Sequence, residues 1–251
     1  YDPLDPPADV ENNPAYDGVY LNRFLSGTFP PGSVFKTVTL AAAIENLPDL
    51  YDRTWTCTGA TQVGGEAITC PHAHGTMDIY GAMANSCNGV FGQLAAELGP
   101  EVMERCTEQA GLTASYSVSG LNSAAGKFDF SGSAGQQAWA GVGQYNDLAN
   151  PCAVMVYMGA IAQGGRAAVP QLILKTENPL GLPSLPQAVK KTGTLINAST
   201  AAALADIMSR NVIDSYGAGR FPNMDICAKS GTAEVGGGNS PHAWFAGFLR
   251  N

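Results

Sequence analysis

An α+β fold is predicted by three features of this 251-residue sequence. Apolar residues make up 45% of it and charged residues only 14%, enough to bury a sizeable core. Helix-period patterning dominates the first two thirds, and the last section, "MDICAKSGTAEV" followed by "HAWFAGFLR", reads as a β-hairpin around "GGGNSP". Helices first and sheet last point to segregated α and β elements rather than alternating βαβ units.

The elements follow in order. Residues 1–32 are rich in Pro, Asp and Asn, so they are expected to run as an extended arm over the surface. Helical patterning begins at Ser33 and runs to Asn46, where "NLPDL" stops it. "TGATQVGGEAIT", between Cys57 and Cys70, reads as two short strands around a Gly-Gly turn. A helix is predicted near Met77 to Asn85, then a break at "SCN" and a second helix from Gly89 to Leu98 ending in Gly-Pro. "PEVMERCTEQAGL" opens with Pro and closes with Gly, the asymmetry of a helix. Ser115 to Gln137 is Ser/Gly/Ala-rich and weakly patterned, a long loop of the kind that borders sites. "NPCAVMVYMGAIAQGG" and "NASTAAALADIMSRNV" are helical again.

Composition excludes some functions. Thirteen basic against twenty-one acidic residues give a net charge of −8 with no Lys/Arg cluster, which argues against nucleic acid as a partner. The longest apolar run, Cys152 to Ala162, falls short of the roughly 20 residues that cross a bilayer. The chain opens at "YDPLDPPADV" without an initiator Met or a signal pattern, so a removed targeting segment or an excised domain is expected. Six cysteines make no disulfide framework. The hairpin brings Cys57 and Cys70 together, and three readings stay open for them: two plain thiols, a structural disulfide, or a zinc site with His72 or His74 of "CPHAHG".

The chemistry concentrates in "PPGSVFKTVTLAAAIE", Pro30 to Glu45. A hydroxyl needs an adjacent base to act as a nucleophile, and Ser33 and Lys36, at i and i+3, share one face of a first helical turn. The N–H groups of that turn lack intrahelical partners, so the Ser33 N–H can serve an oxyanion hole. Taken alone, the pair reads as a helix cap and a solvated charge. Ser33, however, begins the sequence's only Ser-x-x-Lys, and two companions follow it: "SCN", Ser86 to Asn88, between helices, and "KSGT", Lys229 to Thr232, on a strand. "KTGT" at Lys191 and "SRN" at Ser209 match the same patterns, but Lys191 has no partner strand and Ser209 lies within a helix, so both are read as coincidence.

This ordered set resembles the penicillin-recognising serine acyl-transferases, the penicillin-binding proteins and serine β-lactamases. "YDP", "NRFLSGTFPPGSVFK", "HG" before the helix leading to "SCN", "GVGQ" at Gly141, and "KSGTAE" with "HAWFAGF" look like the transpeptidase domain of class B penicillin-binding proteins, over most of residues 1–251. The resemblance implies the penicillin-binding protein/serine β-lactamase-like fold, an antiparallel sheet flanked by helices with an all-helical lobe. It also implies peptidoglycan D,D-transpeptidation outside the cytoplasmic membrane, an anchor beyond this chain, and partners in a cell-division or elongation complex. The family has two strands before "YDP" and a strand and helix after "HAWF"; the sheet is therefore expected to be incomplete here and the natural protein to continue at both ends.

The mechanism implied is attack by Ser33 on a D-Ala-D-Ala stem peptide, with neutral Lys36 as base, Ser86 as proton relay to the leaving nitrogen and Asn88 fixing the peptide amide. Lys229, Ser230 and Thr232 would take the substrate carboxylate, with Gly231 leaving the strand bare for the ligand backbone. The Ser33 and Thr232 N–H groups would form the oxyanion hole, and β-lactams would trap Ser33. No cofactor and no catalytic metal are called for. A β-lactam sensor, a D,D-carboxypeptidase and a β-lactamase are the alternatives. Neither a Glu-x-x-Leu-Asn nor a Ser-x-Val accompanies the motifs, which favours transpeptidation, and Asp129 is the acidic residue of the 115–137 loop where a deacylating base could sit.

Overall fold

The computed structural model describes residues 4–173, 175–182, 188–234 and 240–250. Helix α1 (Lys36–Asn46) lies at its centre, with every residue from Lys36 to Ala43 buried. Two β-branched threonines sit in that buried stretch without orphaned hydroxyls: Thr37 Oγ1 donates to Val34 O at 2.8 Å and Thr39 Oγ1 to Gly141 O at 2.6 Å.

Between α1 and the next helices the chain forms a hairpin within a hairpin. Strands β1 (Trp55–Cys57) and β4 (Gly75–Met77) pair antiparallel outside β2 (Ala60–Val63) and β3 (Glu66–Thr69). Gly64 and Gly65 join the inner strands with φ of 58° and 85°, the two left-handed residues of a tight hairpin turn. Helix α2 (Ile79–Ala84) is capped by Asp78, whose Oδ1 accepts from Gly81 N at 2.8 Å.

The two helices expected around Gly99-Pro100 form one segment, α3 (Asn88–Gln109), broken where Gly99 takes φ 75° and ψ 168°. Pro100 carries no N–H and bars a continuous ladder, so the kink falls there.

The 115–137 segment is more structured than its composition suggests. It holds a small hairpin, β5 (Ser117–Val118) with β6 (Leu121–Asn122), and its end opens α4 (Ala134–Gly141). A capping box starts that helix: Ser133 Oγ accepts from Gln136 N and Gln136 Oε1 accepts from Ser133 N. Phe128 and Phe130 stack on Phe35, at 5.0 and 6.1 Å between centroids, which lays this segment over the start of α1.

Helix α5 (Pro151–Ala162) is apolar nearly all round and mostly buried. Its cap, Asn150, also donates to Leu25 O and Gly27 O, anchoring the residues ahead of the Ser33 turn. Helix α6 (Ala198–Tyr216) packs on α1, α2 and α5 and carries β7 (Asp225–Ala233) on its other side. Strand β7 pairs antiparallel with β8 (His242–Arg250), Lys229 opposite Ala246. Most of the "GGGNSP" turn lies outside the described residues. Phe245 and Leu249 of β8 point outward, 55% and 61% exposed. The described helices and small antiparallel sheets are the expected α+β arrangement.

One buried group conflicts with its surroundings. Asp147 is 1% exposed, and neither carboxylate oxygen makes a well-formed hydrogen bond among the described residues. Burial pushes its carboxyl well above the usual range. A carboxyl raised on folding stabilises the fold below its unfolded pKa of about 3.9, and that contribution is lost as pH rises toward the folded value, by up to about 1.4 kcal/mol per pH unit. Asp147→Asn is expected to remove this loss, so thermal melts should show the variant ahead of the native chain at neutral pH and the gap closing near about pH 4.

Candidate active site

Ser33 occupies the middle of a 3-10 turn, Gly32–Val34, that leads into α1. Its side chain is half-buried, and its hydroxyl carries no hydrogen bond among the described residues. The turn is held by close backbone approaches on two sides. Gly32, at φ 54°, donates its N–H to Gly143 O at 2.9 Å, and a Cβ there would meet Thr232 O at 2.7 Å. Trp244 Nε1 of β8 donates to Pro30 O at 2.9 Å.

A Cβ at Gly231 would lie 2.8 Å from Pro31 O and 3.1 Å from Val34 N, so a bare strand is needed here for the protein's own Gly32–Val34 turn.

Lys36 points from α1 into the second motif. Its Nζ reaches Ser86 O at 2.5 Å, Ser86 Oγ at 3.0 Å and Asn88 Oδ1 at 2.8 Å, and lies 5.6 Å from the Phe91 ring centre. Ser86 can turn both its carbonyl and its hydroxyl to one amine because it sits in the left-handed region, φ 50°, where a non-glycine residue is strained. Asn88, first residue of α3, spends its other end on Thr69 O at 2.8 Å, which fixes which way its amide faces.

Burial, reinforced by the positive charge of Lys229, holds the Lys36 amine well below the ordinary lysine range. Lys229 is itself buried on β7, its Nζ donates to Ser230 O at 3.0 Å, and desolvation brings it down to about 8.

Around this centre the structure adds residues the sequence reading passed over. The Tyr216 hydroxyl, at the end of α6, accepts from Ser230 N at 3.0 Å and donates to Ser230 Oγ at 2.7 Å, leaving the Ser230 hydroxyl proton free to be donated. Asn211 is buried and donates to Ala228 O at 2.8 Å, while Ser215 Oγ reaches Ala84 O at 2.6 Å and Asn211 Oδ1 at 3.1 Å. One face of α6 thus holds β7 on one side and the end of α2, just before Ser86, on the other. The only signal for Asn211 was a polar residue on an apolar helical face, within the "SRN" match.

Thr232 is exposed, and Gln144 Nε2 donates to its carbonyl at 3.4 Å. Lys191 is exposed and paired with Ala168 in an isolated bridge, and Ser209 lies inside α6 with its hydroxyl on Asp225. Asp129 accepts from Ser131 N and Oγ, which lowers its carboxyl.

Cys57 and Cys70 do come together, as free thiols, but not as a pair: Cys87 of the second motif and His74 share the cluster, all four ligand atoms within 4.8 Å of one another. His72 is exposed, its ring edge-on to His74 at 4.6 Å.

An amine whose proton is held less tightly than a lysine's usually is, one helical turn from an unengaged serine, suits a serine acyl-transferase, and comparison narrows the class. Residues 5–251 match the family of the penicillin binding protein transpeptidase domain, and the chain belongs to that family. It is 27% identical to the peptidoglycan D,D-transpeptidase PbpA of Mycobacterium tuberculosis over 94% of this chain and 50% of that protein. Stage V sporulation protein D of Bacillus subtilis is 36% identical over 38% of the chain and 15% of its own length. The chain therefore spans about half the length of the mycobacterial relative.

Among solved structures, the ceftriaxone acyl-enzyme of penicillin-binding protein A from M. tuberculosis superposes with a TM-score of 0.88 at 25% identity, covering 96% of this chain and 56% of that one. The D,D-transpeptidase domain of the peptidoglycan glycosyltransferase from Eggerthella lenta gives 0.84 at 25% identity, with 94% and 61% covered.

Removing the Asn211 amide leaves the Ala228 carbonyl buried without its donor. Asn211→Ala is expected to lower the free energy of unfolding by about 1–3 kcal/mol, read from urea denaturation.

Proposed function

We propose that this chain is the acyl-transfer module of a peptidoglycan D,D-transpeptidase, acting on D-Ala-D-Ala stem peptides and acylated by β-lactams at Ser33. The observation that carries the reading is the Lys36 amine, depressed by burial and then by Lys229 and bound to both polar residues of the second motif. A fluid surface lysine beside a cap would show none of this.

In the reaction, Lys36 takes the Ser33 proton as the hydroxyl attacks the penultimate carbonyl, and Ser86, in contact with Lys36 Nζ, passes a proton to the departing D-alanine nitrogen. Asn88 shares Lys36 through Oδ1 and stands at the edge where a substrate amide would lie. The N–H groups of Ser33 and Thr232 receive the developing oxyanion, an arrangement in which each donor is worth about 2.7–4 kcal/mol of barrier. Lys229 supplies the charge for the substrate carboxylate, with the free Ser230 proton and the Thr232 hydroxyl as donors. A β-lactam presents the same carbonyl and carboxylate in one ring.

The module comprises residues 1–251, with 1–32 running as an arm, and works on the extracytoplasmic face of a bacterial membrane, held by a segment outside this chain. Among the described residues no helix is long and apolar enough to span a bilayer. Its acceptor is an amine, and its partners belong to a cell-division or elongation complex.

Intact mass after benzylpenicillin is the test. One adduct is expected on Ser33, none in Ser33→Ala, a severe slowing in Lys229→Ala and little change in Lys191→Ala; an adduct on Ser86 or Ser230 would overturn the mechanism. An adduct that persists for many minutes agrees with a transpeptidase, whereas release within seconds would make the chain a hydrolase.

The two lysines also set a pH profile. Lys36 works as the neutral amine and Lys229 as the cation, so acylation is expected to rise with pH through the depressed Lys36 value and to fall again as Lys229 loses its proton near pH 8. Acylation rates measured across this range check both limbs, and Lys229→Ala should lack the alkaline one.

A further inference from the structure

Cys57, Cys70, His74 and Cys87 have no part in the acyl-transfer chemistry, yet the fold gathers them from four places. Cys57 ends β1, Cys70 follows β3, His74 precedes β4, and Cys87 caps α3 between Ser86 and Asn88. Their ligand atoms lie within 4.8 Å of one another, and Cys70 Sγ is 3.8 Å from Cys87 Sγ. That separation is the edge of a tetrahedron of sulfurs about 2.3 Å from a central zinc, roughly 3.8 Å.

The imidazole gives a second, independent observation. His74 Nδ1 is buried and has no hydrogen-bond partner among the described residues. A buried nitrogen left unpaired is costly unless something binds it, and three sulfurs supply no strong donor. The backbone prepares the cluster as well. His74 N–H donates to Cys57 O at 3.1 Å and Cys70 N–H to Gly59 O at 2.8 Å, fixing three of the four ligands to one small hairpin.

A disulfide would use two of the sulfurs and leave the third, with the His74 nitrogen, buried and unmatched.

We propose that these four residues form a Cys3His zinc site that fastens the β1–β4 hairpin to the second catalytic motif. Zinc suits the donor set: soft thiolates with one imidazole, four ligands and no open position, the pattern of structural sites. Binding releases the thiol protons and so strengthens as pH rises. Because Cys87 lies between the two residues that hold Lys36, a metal bond to its sulfur restrains the strained Ser86 and the first turn of α3. It adds to the link that Asn88 already makes to Thr69, the neighbour of Cys70.

The test uses the full chain, purified reduced and without chelator. Elemental analysis is expected to find one zinc per chain, and exchange with Co2+ should give thiolate-to-cobalt charge-transfer bands with the visible bands of a tetrahedral ion. His74→Ala and Cys57→Ser are expected to weaken zinc affinity more than about 10-fold, the loss that even an outer partner of a ligand produces. His72→Ala should keep the metal. Circular dichroism and β-lactam labelling establish that each variant is folded, and the cobalt spectrum of the native chain does not depend on any variant. Failure of the reduced native chain to take up equimolar zinc or to give the cobalt bands would overturn the proposal. So would equal zinc retention in His72→Ala and His74→Ala, or a disulfide joining two of the three cysteines in the isolated protein.

Discussion

The arrangement of the whole site depends on one buried amine. Lys36 loses its hydration when α1 becomes the centre of the core, a cost of several kcal/mol for a charged group. Three acceptors stand against that cost, and hydrogen bonds to a charged group return about 1.5–3 kcal/mol each. All three come from the segment Ser86–Asn88. The two sides nearly balance, and the nearby positive charge of Lys229 tips the amine toward losing its proton. A lysine in this state ties α1 to the α2–α3 junction while its amine is biased toward the neutral form.

That tie explains features at a distance from it. Ser86 bears a left-handed backbone because a single residue has to offer carbonyl and hydroxyl together. Helix α3 has to begin at Asn88, since only its first turn brings Oδ1 to the amine while Nδ2 is still within reach of Thr69. On the opposite wall, α6 sets the height of β7 through Asn211 and Tyr216, and through Ser215 it holds the end of α2. One helix therefore gauges the gap between the second and third motifs. The nucleophile turn is then pressed into that gap until only glycine fits at Gly32, Gly143 and Gly231.

Sequence patterning revealed what depends on local periodicity. Helices α1, α5 and α6, the Gly64-Gly65 hairpin and the β7–β8 pair fall where their signals put them, and the short motifs that carry Lys36, Ser86, Asn88 and Lys229 meet around one centre. What stayed hidden depends on contacts between distant segments. Helix α4 is rich in Ala, Gly and Gln and lacks an apolar stripe, so it was read as loop although Ser133 and Gln136 spell a capping box. That Gly231 admits the chain's own Gly32–Val34 turn is invisible in the sequence, because a bare strand looks the same whatever lies against it. Cys87 went unnoticed beside Cys57 and Cys70, since nothing local says that a helix cap will meet a hairpin.

The β1–β4 hairpin is a slight part of this frame and bears directly on Ser86, which has a left-handed backbone. The strands are three or four residues long, and Val63 and Ile68 join buried Ala138, with Ala96 and Trp139 packed against them, in a small apolar cluster apart from the main core. Two short strand pairs are marginal by themselves. They gain support where α4 meets the turn, with Ser133 Oγ on Glu66 and Gly64 lying close against Ala134. The other end, at Cys57, Cys70 and His74, abuts Cys87 and so the segment that holds Lys36. Two adjacent contacts, Thr69 with Asn88 and Cys70 with Cys87, join the hairpin to the segment that flanks Ser86. Whatever stiffens the sulfur end stiffens the acceptors of the catalytic amine, so the hairpin's anchoring at that end helps set how well the site is preorganised.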